Sequence, residues 1–94
     1  MAVTEKKILL LARRDHTEAM RVAAGLTIFG HHVRLVFMNE PVAQTEANAE
    51  QAELLDLADI EPETTVPEMA DELTHLDAMA LGEAIADADI VINV

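Results

Sequence analysis

The stretch KKILLLARRDHTEAM, residues 6–20, decides how the rest of this chain is read. Lys7–Ala12 is a short, continuous apolar run. It lacks the alternation of a strand with one wet face, so it reads as a strand covered on both faces, the habit of parallel sheets. Two arginines then break the run, and Asp15 followed by Glu18 has the spacing of a capping box that opens a helix. A covered strand passing through a tight polar turn into a capped helix is the first half of a βαβ unit.

The remainder repeats that alternation. Ala19, Met20, Val22, Ala23, Leu26 and Phe29 fall at helical intervals, and Gly30 is placed to end the helix as its C′ residue. HVRLVFM, His32–Met38, is a second strand rich in apolar and β-branched residues. NEPV turns the chain, and Thr45 caps a helix over Glu46–Ala58 with Ala49, Ala52, Leu55 and Leu57 on its buried side. In the proline-containing, acidic stretch from Ile60 to Leu76, ETTV is the one strand candidate, and Pro67 places it at a sheet edge or makes it mere extended chain. Asp77 caps a third helix to about Ala88, and DIVINV is a last buried strand. These elements predict one domain over residues 1–94. It is an α/β fold around a small, mainly parallel sheet with right-handed crossovers.

Composition narrows the function. A 94-residue chain buries only about 60–68% of its unfolded surface, yet 51% of these residues are apolar and 2% aromatic. Aliphatic side chains must therefore fill the core, and the surplus argues for apolar surface covered by another subunit. A final strand with no helix after it in the sequence argues the same. The net charge of -12 is unevenly distributed. All six basic residues lie in residues 1–34 beside three acids, whereas residues 35–94 carry fifteen acids and no lysine or arginine. That balance argues against nucleic acid as a partner, because no basic stripe is available for phosphate. The acidic face serves instead to keep a small apolar domain in solution. ILLLA is too short for a signal h-region, and no window reaches a transmembrane length, so a cytoplasmic location without membrane contact is expected. The absence of cysteine removes disulfides, thiolate metal sites and any thiol nucleophile.

The candidate site is the opening turn. Ligands of open parallel sheets sit beyond the carboxyl ends of the strands, and Arg13, Arg14, His16 and Thr17 lie at such an end beside a helix N-terminus. That set suits a phosphate, sulfate or carboxylate. The turn has no glycine, so it is neither a dinucleotide fingerprint nor a P-loop. The simpler use of the same residues has Asp15 capping the helix while the arginines pair with acids of this or a neighbouring subunit. No metal or cofactor is assigned. His31 and His32 are adjacent and diverge, His16 lies at the far end of the first helix, and a site would need His75 and a carboxylate to converge on them. No catalytic residue is assigned either, because the eighteen acids mark no particular pair and no nucleophile elbow is present.

The segments KILLLARRD, TEAMRVAAGLTIFGHHVRLVFMNEPV and EAIADADIVINV together resemble the DsrE/DsrF/DsrH-like sulfur-relay family, which includes the TusBCD proteins of tRNA thiolation. The resemblance implies a three-layer α/β/α, Rossmann-like domain that assembles into trimers or hexamers, with other sulfur-relay proteins as partners. The family's chemistry uses a persulfide-carrying cysteine after the second helix, and the corresponding segment, about Asp59–Asp77, has none. No other side chain there can accept and release sulfane sulfur. The expectation is a non-catalytic, DsrE-like homo-oligomeric scaffold or partner-binding subunit, tied to sulfur metabolism by resemblance alone. The alternatives are a small-anion or metabolite-binding module at Arg13–Thr17, or an enzyme whose site is completed between subunits.

Overall fold

A computed structural model describes residues 5–94. The leading MAVT lies outside the described residues. Strand β1, Lys7–Ala12, is followed by helix α1, His16–Ile28, and strand β2, His32–Phe37. Helix α2 spans Glu46–Leu57, and the short strands β3, Glu63–Thr64, and β4, Thr74–His75, flank a 3-10 turn at Pro67–Met69. Helix α3, Ala78–Asp87, and strand β5, Ile90–Asn93, complete the fold. The five strands form one sheet in the order β4-β3-β2-β1-β5, and every neighbouring pair is parallel. The sheet is thus wholly rather than mainly parallel.

β1 sits inside the sheet as its both-sided apolar pattern requires, between β2 and β5. Its alternate residues serve different layers. Leu10 and Ala12 meet Ala19, Met20 and Ala23 of α1, Leu35 and Phe37 of β2, and Leu55 of α2. Leu9 and Leu11 meet Val36, Leu76 and Ala84 of α3 on the opposite face. Two helices on one face and one on the other give the three layers.

The helix ends follow the local chemistry of their sequences. Asp15, Thr45 and Asp77 each accept a hydrogen bond from the backbone amide three residues on, satisfying a donor that the first turn leaves free. The capping box at α1 is half formed. Asp15 Oδ1 takes the Glu18 amide at 3.0 Å, but the Glu18 carboxylate turns away to Arg21 instead of reaching back. Gly30, at φ 86°, ends α1 in the left-handed conformation that glycine adopts without cost.

Four expectations are corrected. Phe29 lies just beyond α1 and is 69% exposed, so it does not belong to the helix's buried face. In α2 the buried residues are Asn48 and Leu55, while Ala49, Ala52 and Leu57 face outward. β3 is not an edge, because β4 pairs outside it and was not anticipated. Pro67 lies beyond β3, in the 3-10 turn, and so removes no ladder donor. β5 is an edge strand rather than a buried one, with Ile90 42% and Val91 38% exposed.

Candidate functional site

The carboxyl end of β1 delivers the opening turn next to the ends of β2 and β5, and the backbone of the turn is tied to both. The Arg13 and Arg14 amides donate to the Val94 carbonyl at 2.8 and 2.9 Å. Asn39, just after β2, donates from Nδ2 to the Arg13 carbonyl at 2.6 Å. Asn39 does so at φ 76°, a left-handed conformation that asparagine tolerates better than most side chains. These bonds consume the amides a bound anion would otherwise meet in the turn, and the Asp15 carboxylate already occupies the mouth of the helix.

The four candidate residues divide into two pairs. His16 is buried with its ring edge-on to Phe37, the centroids 5.3 Å apart. Its Nε2 lies 3.1 Å from the Met38 carbonyl. A carbonyl only accepts, so Nε2 carries the hydrogen and the ring fastens α1 to the end of β2. The Thr17 hydroxyl donates to the Asn48 side-chain oxygen, and Asn48 Nδ2 donates to the Ala43 carbonyl at 2.7 Å. Both side chains therefore hold α1 against β2 and α2.

Arg13 and Arg14 are used differently. Their side chains are exposed, and among the described residues no ion pair includes either of them. The expected pairing with acids of this chain does not form. Together with Asn39, Asn93 and Val94 they line a cleft of about 530 Å³ at the carboxyl end of β1 and β5. No acidic side chain lines it. The neighbouring depression of about 270 Å³ reaches His16 and Thr17 but also takes in Asp15 and Glu40, whose charges oppose an anion. The arrangement suits one small anion between two guanidiniums and two amide side chains, with His16 and Thr17 outside it.

The other basic residues show what pairing looks like in this chain. Arg34 forms a two-pronged bond with Glu63, both contacts at 2.9 Å, and hydrogen bonding to that carboxylate raises the guanidinium's pKa. Arg21 hydrogen-bonds Glu18 and holds its carboxyl below the usual range. Among the described residues no three metal-ligating side chains gather. His31 Nδ1 accepts from the Lys6 amide at 3.2 Å, and His32 Nε2 lies 3.1 Å from Glu5.

Asn39, Asn48 and Asn93 were absent from the sequence reading. Asn39 and Asn93 carry a usable signal, because each follows or ends an apolar strand, which is where a parallel sheet brings its loops together. A further cavity of about 440 Å³, walled by Met20, Phe37, Leu55, Ile60 and Leu73, lies in the layer of α1 and α2 and also went unread. Comparison with family models, with curated proteins and with solved structures gives no match.

Proposed function

We propose that this chain is a non-catalytic, self-associating α/β subunit, a DsrE-like scaffold or partner-binding component without the family's chemistry. The observation that carries this reading is the apolar surface left in solvent. Ile90 and Val91 on the edge strand, Ile28 and Phe29 at the end of α1, and Leu57 at the end of α2 are all exposed. Large apolar side chains left in solvent on a chain of 94 residues are the kind of surface that interfaces cover. The absence of any cysteine supports the non-catalytic part, and the resemblance supplies the tie to sulfur relay together with the trimer or hexamer. Light scattering at about 50 µM tests the reading, because self-association is concentration-dependent. A multimer is expected, and a monomer at that concentration refutes it.

One observation favours a second reading, a small-anion-binding module. It is the cleft in which Arg13 and Arg14 meet two asparagines and no acidic side chain. Under that reading sulfate or phosphate raises the melting temperature of the wild type and leaves the Arg13→Ala, Arg14→Ala variant unmoved, by mass action on the folded state.

A further inference from the structure

The geometry points to the outer edge of β5 as the surface on which a second copy of this chain docks, extending the parallel sheet through an antiparallel β5–β5 pair about a two-fold axis. This inference rests on the self-association reading and names its interface.

The backbone selects the docking residues. Val94 donates to the Leu11 carbonyl at 3.0 Å and accepts from the Arg13 amide at 2.8 Å. In a parallel ladder the residues that bond inward alternate. Ile92 and Ile90 therefore turn inward like Val94, and Val91 and Asn93 present their N–H and C=O groups outward. Among the described residues no strand takes them, because β5 ends the sheet order. The strand is short, but IVINV has no lysine, proline, glycine or inward charge to blunt its edge.

The side chains select the register. Ile92 and Val94 pack on the α1 and α2 side of the sheet, and Ile90 shares their row by alternation. When Val91 of each copy exchanges both backbone bonds with Asn93 of the other, Ile92 meets its own symmetry mate and Ile90 meets Val94. The apolar row of one copy then continues into that of the other. Ile90 is left 42% exposed, and the second copy's row supplies the missing neighbours.

Charge selects the orientation. The two unpaired arginines sit at the Val94 end of β5, through the amide bonds of Arg13 and Arg14 to Val94. Asp87 and Asp89 sit at the other end, where Asp89 Oδ2 accepts the Lys7 amide at 2.9 Å and Asp87 lies 3.5 Å from Lys7 Nζ. An antiparallel pair brings the arginines of each copy to the aspartates of the other, which gives them the partners this chain withholds. The interface is isologous and closes on itself. A dihedral hexamer contains such two-folds and a bare trimer does not.

Cross-linking and sedimentation of the full chain test this. The chain has no cysteine, so a single introduced thiol reports one contact. Ile92→Cys is expected to give a covalent dimer under mild oxidation, because directly opposed residues of a non-hydrogen-bonded pair lie about 4.5 Å apart at Cα. Leu57→Cys, exposed but remote from β5, is expected to remain largely uncross-linked. Val91→Pro removes only an outward N–H and is expected to reduce assembly at least tenfold in dissociation constant while keeping the wild-type circular dichroism. If Val91→Pro misfolds, Val91→Lys replaces it with the same expectation. A multimer that Val91→Pro and Val91→Lys leave intact, or that cross-links through Leu57→Cys and not Ile92→Cys, overturns the inference and spares the self-association reading. A bare trimer does the same. A monomeric wild type overturns both.

Discussion

Replacing Asn48 by alanine asks whether the start of α1 is held by the fold or kept free for a ligand. Asn48 is 7% exposed, with one side-chain nitrogen on the Ala43 carbonyl at 2.7 Å and its oxygen taking the Thr17 hydroxyl. Its own backbone amide bonds Thr45 Oγ1 at 3.1 Å and is untouched by the substitution. Truncation leaves a carbonyl and a hydroxyl without their partner. A buried polar group left unpaired costs about 1–3 kcal/mol, and half-buried Thr17 recovers part of that from water, so about 2 kcal/mol in all is expected. A chain of this length has roughly 5–14 kcal/mol of total stability. At about 4–8 °C per kcal/mol the midpoint falls by roughly 8–16 °C. Thr17→Val removes the hydroxyl alone and is expected to cost about 1 kcal/mol. In the double variant the second change has no shared bond left to break, so the two effects fall short of their sum by about 1 kcal/mol. Urea unfolding followed by circular dichroism, at one fixed protein concentration, measures all four corners. Additivity within about 0.3 kcal/mol refutes the reasoning. So does an unchanged Thr17→Val, since either result frees the hydroxyl for another partner.

Three further outcomes follow from the geometry. His16→Ala removes the ring packed on Phe37 and the donor to the Met38 carbonyl, and is expected to cost about 3 kcal/mol in urea unfolding without altering any response to sulfate. Incubation with a sulfane-sulfur donor is expected to leave the intact mass unchanged, because the chain has no thiol to carry a persulfide, and mass spectrometry reads this directly. The Glu18 carboxyl is held below its ordinary value of 4.5 by its bond to Arg21. Its stabilising contribution is therefore present above that value and lost as pH falls through the lower, folded one. Paired urea midpoints at neutral pH and at about pH 3 are expected to show a slightly larger acid loss in the wild type than in Glu18→Gln.

Elements whose local chemistry and tertiary fate agree were legible in the sequence. β1 reads correctly because a strand flanked by two strands and covered on both faces has to be apolar throughout. The three caps read correctly because Asp15, Thr45 and Asp77 act within one turn of themselves. ETTV was legible as a strand and contains β3, but its place inside the sheet and the whole of β4 were not, because each strand has two residues and nothing local sets its position. β3 is held by the Thr64 hydroxyl donating to the Phe37 carbonyl at 3.0 Å and by the Thr65 amide donating to the same oxygen at 3.1 Å. Those bonds span more than twenty-five residues. The buried side of α2 was misread for a related reason. The helix leans on α1 through Asn48, and a polar residue bonded across a helix pair has no hydropathy signature. At the candidate site the sequence located the turn but could not separate Arg13 and Arg14 from His16 and Thr17. That separation depends on Phe37, Met38 and Asn48, which lie twenty or more residues away.

The uneven charge of the chain becomes a spatial pattern once folded, and it sets how assembly responds to salt. Lys7 on β1 pairs with Asp87 of α3, and Arg34 on β2 pairs with Glu63 of β3, so the acidic later half neutralises bases on the two central strands. Arg13 and Arg14 are left without such partners. Two copies, each of net charge -12, repel one another at long range. That repulsion is screened beyond about 8 Å at physiological ionic strength. An antiparallel edge pair sets a local attraction between arginines and aspartates against it, and exposed ion pairs of this kind contribute only about 0.2–1 kcal/mol each. The general repulsion is therefore expected to govern the sign, and wild-type association strengthens as salt rises. Arg13→Glu with Arg14→Glu turns the local attraction into further repulsion. That variant is expected to associate most weakly at low salt and to gain more from added salt than the wild type does. Adding Asp87→Arg to it returns opposite charges to the two ends and is expected to restore part of the loss. Sedimentation velocity across about 0.02–0.5 M sodium chloride, a range over which the screening length shortens severalfold, separates the three proteins. Parallel salt dependences for wild type and double variant would mean that the arginines do not face the partner's acids, and that the charge pattern has no part in joining the copies.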